Sequence, residues 1–152
     1  MPIQKTFVIL KPDAVQRGIV DVCIERFIKA GLKLREKYKI RLNKEFVDNL
    51  YKHLENKISK RLLENIKKWM LSDFVVVVIF EGEDAVKRAR EICGNTNPAE
   101  AKKGTIRGDF SSEDIRENIK YDRETHNIVH ASATIEEARK EINLFKKIIL
   151  KE

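Results

Sequence analysis

The chain has 152 residues, enough for one domain with a substantial core and little more. Lys and Arg outnumber Asp and Glu by 31 to 24, a formal charge of +7, which favours an anionic partner such as a nucleotide or nucleic acid. The two cysteines, Cys23 and Cys93, lie far apart with no C-x-x-C spacing, so neither a disulfide nor a thiolate metal site is expected.

Near the start, the apolar run ends at Lys11-Pro12, too early for a signal segment or a membrane span, and a soluble, cytoplasmic protein is expected. TFVILK (6–11) reads as a short strand. From Val20, the apolar residues Val20, Cys23, Ile24, Phe27 and Ile28 follow the spacing of an amphipathic helix, which Gly31 stops. Residues 32–42 alternate: Leu32, Leu34, Tyr38, Ile40 and Leu42 on one face, Lys33, Arg35, Lys37, Lys39 and Arg41 on the other, as in a half-exposed strand.

Asn43 can cap a helical region reaching to about Leu71, long enough that a break is expected near Lys57 to Ser59. FVVVVIF (74–80) is apolar throughout, which suits a central strand covered on both faces. Residues 83–93 read as a helix stopped by Gly94, followed by a turn from Asn97-Pro98 to Gly104. Residues 111–126 read as a solvated surface loop, in which Ser111 or Ser112 can cap a short helix. From Thr134 the tail is helical, with Ile135, Ala138, Ile142, Phe145 and Ile149 on one stripe and Thr134 to Glu137 forming a capping box. With a short strand before that tail and no repeat or linker, the order describes one α+β domain over 1–152, helices packed over a small sheet.

Neither G-x-x-x-x-G-K-[ST] nor G-x-G-x-x-G after the first strand is present, so a bound nucleotide would not sit on a P-loop. His126 and His130 are spaced H-x-x-x-H but lack the Glu or Cys of a metal site, and no metal ligands are expected. Ser132 lacks the strained elbow of a serine nucleophile. Lys11 stands at a strand end, and Arg107 lies between Gly104 and Gly108, where a tight turn can aim a side chain. Glu141 falls seven residues after Thr134, on the same side of the last helix, from which its carboxylate can reach back toward His130.

KPDAVQRG (11–18), TNPAEAKKGTIRGDF (96–110) and NIVHAS (127–132), in that order, resemble the nucleoside diphosphate kinase family, and the likeness extends over nearly the whole chain. It implies a ferredoxin-like fold with a four-stranded antiparallel sheet, in a homo-oligomer that in this family is commonly a hexamer. It also implies ping-pong transfer of a γ-phosphoryl group between nucleoside tri- and diphosphates, with His130 at the position of the nucleophile. A free imidazole titrates near about 6.5, so it is largely unprotonated and nucleophilic at neutral pH. By the same resemblance Glu141 orients the imidazole, Ser132 is the serine beside the nucleophile, Lys11, Arg90 and Arg107 are phosphate-binding cations, Tyr51 and Thr96 donate hydroxyls to the phosphates, and Asn127 contacts the sugar. Mg²⁺ is expected to arrive bridging the nucleotide phosphates.

Two departures carry expectations of their own. Ala133 replaces the aspartate of the family pattern H-[GA]-S-D, and Thr134 is expected to cap the helix in its stead. Leu62 matches the family's base-stacking phenylalanine, and an aliphatic side chain there implies weaker nucleotide affinity. Two rival readings stand beside this one: a nucleic-acid-binding protein using the basic face of 32–42, and a family member whose catalysis has lapsed.

Overall fold

The apolar run at 74–80 lies inside a sheet, and the rest of the chain is packed around it. The computed structural model describes residues 2–151. Strands β1 (Ile3–Leu10), β2 (Lys33–Ile40), β3 (Val75–Glu83) and β4 (Val129–Ala131) are ordered β2-β3-β1-β4, every pair antiparallel. The helices are α1 (Pro12–Gln16), α2 (Val20–Lys29), α3 (Lys44–Leu50), α4 (Lys60–Leu71), α5 (Ala85–Cys93), α6 (Ile106–Phe110), α7 (Ile115–Lys120) and α8 (Ile135–Leu144). This is the ferredoxin-like α+β architecture that the resemblance implied. No helix among the described residues is long and apolar enough to cross a membrane.

The pleat of β3 feeds two cores. Val76, Val78 and Phe80 pack with Cys23, Ile24 and Phe27 of α2 and Ala85 and Ala89 of α5. Val75, Val77 and Ile79 point the other way, onto Phe46, Val47 and Leu50 of α3, Met70 of α4 and Phe145. Burial on both faces is why this strand carries no polar alternation. Phe145 is fully buried and joins Phe7, Tyr38 and Phe46 in an aromatic cluster, with ring centroids 5.5, 5.4 and 6.0 Å away.

Several boundaries differ from the sequence reading for identifiable reasons. β1 starts at Ile3 and β3 continues to Glu83, because Lys5, Gln4 and Ile3 pair with Glu81, Gly82 and Glu83 through a backbone ladder that side-chain patterning does not report; the following helix therefore starts at Ala85, not at residue 83. The region from Asn43 divides more widely than expected: α3 ends at Leu50, a 3-10 turn spans Lys52–Leu54, and α4 begins at Lys60 beneath Ser59, whose Oγ accepts from the Leu62 amide. Asn43 caps α3 as expected, accepting from Phe46 N at 3.0 Å.

Residues 111–126 are not a plain loop. They contain α7, and its cap is Asp114, whose carboxylate accepts from Arg116 N, in place of Ser111 or Ser112. In the tail, Thr134 caps α8 through Glu137 N, but the reciprocal bond is shifted by one residue: Glu137 Oε2 accepts from Ala133 N, not from Thr134 N. Ile135 is 45% exposed despite its place on the apolar stripe, since it opens the helix where little packs over it.

The alternation of β2 holds, with its cations outward. Several of them have acidic or aromatic neighbours: Arg35 pairs with Glu81 at 2.6 Å, Lys37 with Asp21 at 3.6 Å and Arg41 with Asp73 at 4.0 Å, while Lys39 lies over the Phe74 ring. A register shift between Leu34 and Glu36 makes Arg35 the extra residue of a bulge.

Replacing Phe145 by Ala should lower stability by about 3–5 kcal/mol, since the site is enclosed by rings that cannot collapse into the void. Denaturant unfolding of the two proteins measures it, and a loss below about 1 kcal/mol would show that the cluster does not act as one packed unit.

Candidate functional site

The site is organised by a turn at the open edge of the sheet. Ile128 has φ +74°, a left-handed backbone that a β-branched residue adopts only under constraint, and Val129 N donates to Asn127 O across it at 2.8 Å. Two buried charged side chains hold this turn. Asp13, in the first turn of α1, accepts from Ile128 N through Oδ2 at 3.0 Å. Arg107 of α6 donates from Nε to Asn127 O at 3.2 Å, from Nη1 to Gly94 O at 2.8 Å and from Nη2 to Val129 O. Gly108 lets α6 fold tightly against the loop before it, because a Cβ there would lie 1.9 Å from the Lys102 carbonyl oxygen.

Beyond the turn, β4 pairs with β1 and sets His130 opposite Ile9. Val129 and Ala131 enter the α2/α5 core, so strand alternation directs His130 to the other face, the one α8 covers. There His130 Nε2 lies 3.0 Å from Glu141 Oε1, and Ser132 Oγ donates to the same oxygen at 2.6 Å. Burial by itself would push Glu141 up, but the charge of His130 and the hydrogen bonds from His130 and Ser132 outweigh it and hold the carboxyl below its usual range. An ionised carboxylate can only accept, so Nε2 carries a proton toward Glu141, and in the neutral ring the lone pair is on Nδ1.

Next to this pair opens a cleft of about 700 Å³, lined by Lys11, Tyr51, Leu62, Arg90, Thr96, Arg107, Asn127, His130 and Glu141 among others. Nine of the ten residues singled out from the sequence thus face one cavity. Ser132 is the tenth, fully buried behind Glu141. Lys11 Nζ donates to Asn127 Oδ1 at 2.7 Å, and Asn127 Nδ2 donates to Thr96 O at 3.2 Å, so three chain segments meet at one side chain. Burial, with the Arg107 charge next, lowers Lys11 to about 7, and Asp13 opposes the shift. Arg90 and Thr96 are exposed at the cleft, and Arg90 Nη1 reaches Ala131 O at 3.4 Å. The Tyr51 hydroxyl is buried with no hydrogen-bond partner, and burial followed by the Glu141 charge raises its pKa. Among the described residues no group of three or more His, Cys, Asp or Glu side chains is arranged to hold a metal ion.

Taken together, the cleft offers a nucleophilic ring nitrogen, three cations and an unpartnered hydroxyl, a set suited to receiving a polyphosphate. The family model described as nucleoside diphosphate kinase matches residues 4–148. The chain belongs to the nucleoside diphosphate kinase family. It is 41% identical over 145 residues to the nucleoside diphosphate kinase of Campylobacter jejuni and 37% identical over 145 residues to that of Saccharolobus islandicus, each comparison covering 95% of this chain and 96% of the relative. Among solved structures, a nucleoside diphosphate kinase from Borrelia burgdorferi, a transition-state mimic with bound vanadate and ADP, superposes with a TM-score of 0.88 at 30% identity, covering 94% of this chain and 86% of that one. The NDP kinase from Pyrobaculum aerophilum gives 0.83 at 33% identity, over 95% of this chain and 96% of that one.

Sequence reasoning missed some of what builds this kinase-family site. Asp13 belongs to KPDAVQRG, and its direct succession to Lys11-Pro12 was an available signal; its bond to Ile128 N spans 115 residues and was not. Trp69, whose ring lies under Lys11 Nζ at 5.7 Å, was legible only as an apolar position on a helix. His130 itself is the middle residue of β4.

Arg107→Lys should destabilise the fold by about 2–3 kcal/mol, since one ammonium cannot span three carbonyls that the guanidinium fork reaches together. Thermal unfolding of both proteins provides the check, and an unchanged midpoint would mean the turn at Ile128 does not depend on the fork.

Proposed function

We propose that this chain equilibrates nucleoside di- and triphosphates by ping-pong transfer through a phosphohistidine on His130. The observation that carries the reading is the Glu141–His130 pair, which keeps the proton on Nε2 and leaves the Nδ1 lone pair available beside a cation-lined cleft. In the first half-reaction Nδ1 attacks the γ-phosphorus, the bond from that phosphorus to the β,γ-bridging oxygen breaks, and the diphosphate leaves with the bonding pair. The second half-reaction is the reverse, with a different diphosphate as acceptor.

Each residue's part follows from its chemistry. Phosphorylation at Nδ1 while Nε2 keeps its proton makes the ring cationic, and the Glu141 carboxylate in contact with Nε2–H offsets that charge. Ser132 holds the carboxylate in place through its own hydrogen bond. Lys11, Arg90 and Arg107 compensate charge on the phosphate oxygens, and the Tyr51 hydroxyl, a buried donor without a partner, gains an acceptor when a phosphate arrives. Thr96 adds a hydroxyl, Asn127 meets the sugar, and Leu62 offers the base an aliphatic surface. The nucleotide enters as its Mg²⁺ complex, the ion neutralising part of the polyphosphate charge while the three side-chain cations take the rest. Assembly into a homo-oligomer belongs to the same reading. The relative from Halobacterium salinarum, solved in complex with CDP, is consistent with a pyrimidine nucleotide among the substrates.

Incubated with Mg²⁺ and γ-labelled ATP without an acceptor, the protein should take up acid-labile, alkali-stable label that added nucleoside diphosphates discharge, while His130→Ala takes up none. Absence of label on the unmodified protein would falsify the mechanism. Glu141→Gln should retain the label but form it about 10- to 100-fold more slowly, since the carboxamide no longer offsets the ring charge. Single-turnover quench measurements read that rate.

A proton linkage should accompany binding. Phosphates beside Lys11 Nζ favour its charged form, so its pKa in the complex lies above the value of about 7 in the free protein. Below that value Lys11 is already protonated and binding takes up nothing there. Above it, binding draws in up to about one proton, and affinity falls as pH rises toward the pKa of the complex. Calorimetric titration with ADP at pH 8, where the nucleotide's own terminal phosphate is already ionised, in two buffers of different ionisation enthalpy should give different heats. Equal heats at pH 8 would show that Lys11 is charged before the nucleotide arrives.

A further inference from the structure

Trp69, the one tryptophan in the chain, stands in the last turn of α4. Its ring is half-buried and lines the cleft beside Lys11, whose Nζ lies 5.7 Å from the ring centroid. The imidazole of His126 stacks on the same ring, centroids 4.4 Å apart and planes 7° from parallel. His126 is in turn held through backbone and side chain: its amide donates to Glu113 Oε1 at 3.3 Å, its carbonyl accepts from Ser111 Oγ at 3.2 Å, and Nε2 lies 2.9 Å from Glu124 Oε2. Turning the imidazole would break its contact with Glu124, so the stack fixes the plane of the indole. The next residue, Asn127, accepts from Lys11 Nζ at 2.7 Å, and one short segment therefore serves the lysine twice.

Lys11 is a buried ammonium with few countercharges. Arg107 of α6 repels it, and Asn127 offers a neutral acceptor. Asp13 of α1 attracts it, but that carboxyl is itself raised by burial, with Oδ1 left unpaired, and it also faces His126. Cys93 of α5 is near enough to help only as a thiolate, and burial pushes its thiol up to about 11. The remaining neighbour is the indole of Trp69. An aromatic face is electron-rich, attracts an ammonium within about 6 Å of its centroid, and brings no second ion to be desolvated. An aliphatic side chain of similar bulk would fill the space without that attraction.

We propose that Trp69 is a positioning residue for Lys11: its ring, clamped by His126, holds the ammonium charged and at the phosphate end of the cleft. Trp69 touches no substrate atom in this role and acts through the lysine. The functional consequence rests on the kinase reading above, because a charged Lys11 matters where phosphate oxygens arrive beside it. The physical claim concerns the ligand-free protein and is testable there.

Because the chain has one tryptophan, growth on fluorinated tryptophans alters this ring alone, draining its face of electron density with almost no change of shape. Lys11 is then titrated without nucleotide by carbon NMR on protein carrying ε-labelled lysine, its resonance assigned with Lys11→Arg. The midpoint should fall stepwise as fluorine atoms are added. In Trp69→Leu it should fall by about half a unit to one unit, and in Trp69→Phe by less. A midpoint that fluorination leaves unmoved, or that falls equally in Trp69→Leu and Trp69→Phe, overturns the proposal, because a residue that only packs would not respond to ring electronics. The lower midpoint leaves less Lys11 charged at pH 8, so Mg²⁺-ADP should bind Trp69→Leu about 3- to 10-fold more weakly there. The two readings fail separately: unmodified protein that takes no label from γ-labelled ATP sinks the kinase mechanism and leaves the titration standing, whereas an unmoved midpoint sinks the role of Trp69 whatever the label shows.

Discussion

The site depends on a strained turn held from two sides by buried charge. Ile128 keeps a left-handed backbone that costs on the order of 1–3 kcal/mol, and it does so because Asp13 takes its amide and Arg107 takes the carbonyls on either side of it. Every functional group downstream inherits its position from that turn. Lys11 donates its own backbone amide to Ile128 O, and its ammonium meets Asn127. β4 leaves the turn in the register that sets His130 against Ile9. Were the turn to relax, the histidine and the cations would shift together.

Burial of charge serves both ends here. The guanidinium of Arg107 lies almost wholly inside and is satisfied by three backbone carbonyls, whereas Asp13 spends Oδ2 on the Ile128 amide and keeps Oδ1 buried without a hydrogen-bond partner, and burial raises its pKa. The same burial, with the Arg107 charge next, depresses Lys11. Tyr51 adds a hydroxyl with nothing to bond in the absence of ligand. The Tyr51 hydroxyl stays unpaired at the cleft, and the backbone at Ile128 is strained.

Legibility in the sequence varied with the range of the interaction. The expectation that 74–80 lies centrally was sound because an apolar run without alternation has few other uses, and the caps at Asn43 and Thr134 were visible because they act within three residues. Residues 111–126 were misread because nothing local marks them as anchored: Asp122 is held by Ser59 and Asn65, and His126 by Trp69, all far away in the chain. The extension of β3 to Glu83 was missed for a related reason, since its backbone pairing with β1 is indifferent to side-chain polarity. The Ala133 departure is absorbed locally, because Glu137 takes the Ala133 amide and Thr134 caps α8.

The sequence by itself determined the type of most elements outside 111–126, the two-faced burial of the central strand and, through three motifs in order, the family and its candidate site residues. These follow from periodicity and from residue identity at short spacing, which are written along the chain. Only the tertiary structure decided which ring nitrogen of His130 stays free, that Asp13 and Arg107 share the work of holding Ile128, and that Ile115 and Ile119 of α7 line the cleft. Each of these depends on groups distant in the chain, 11 residues apart for His130 and Glu141 and 115 for Asp13 and Ile128, meeting within hydrogen-bond distance or along one surface, and that meeting is set by how the sheet and helices pack.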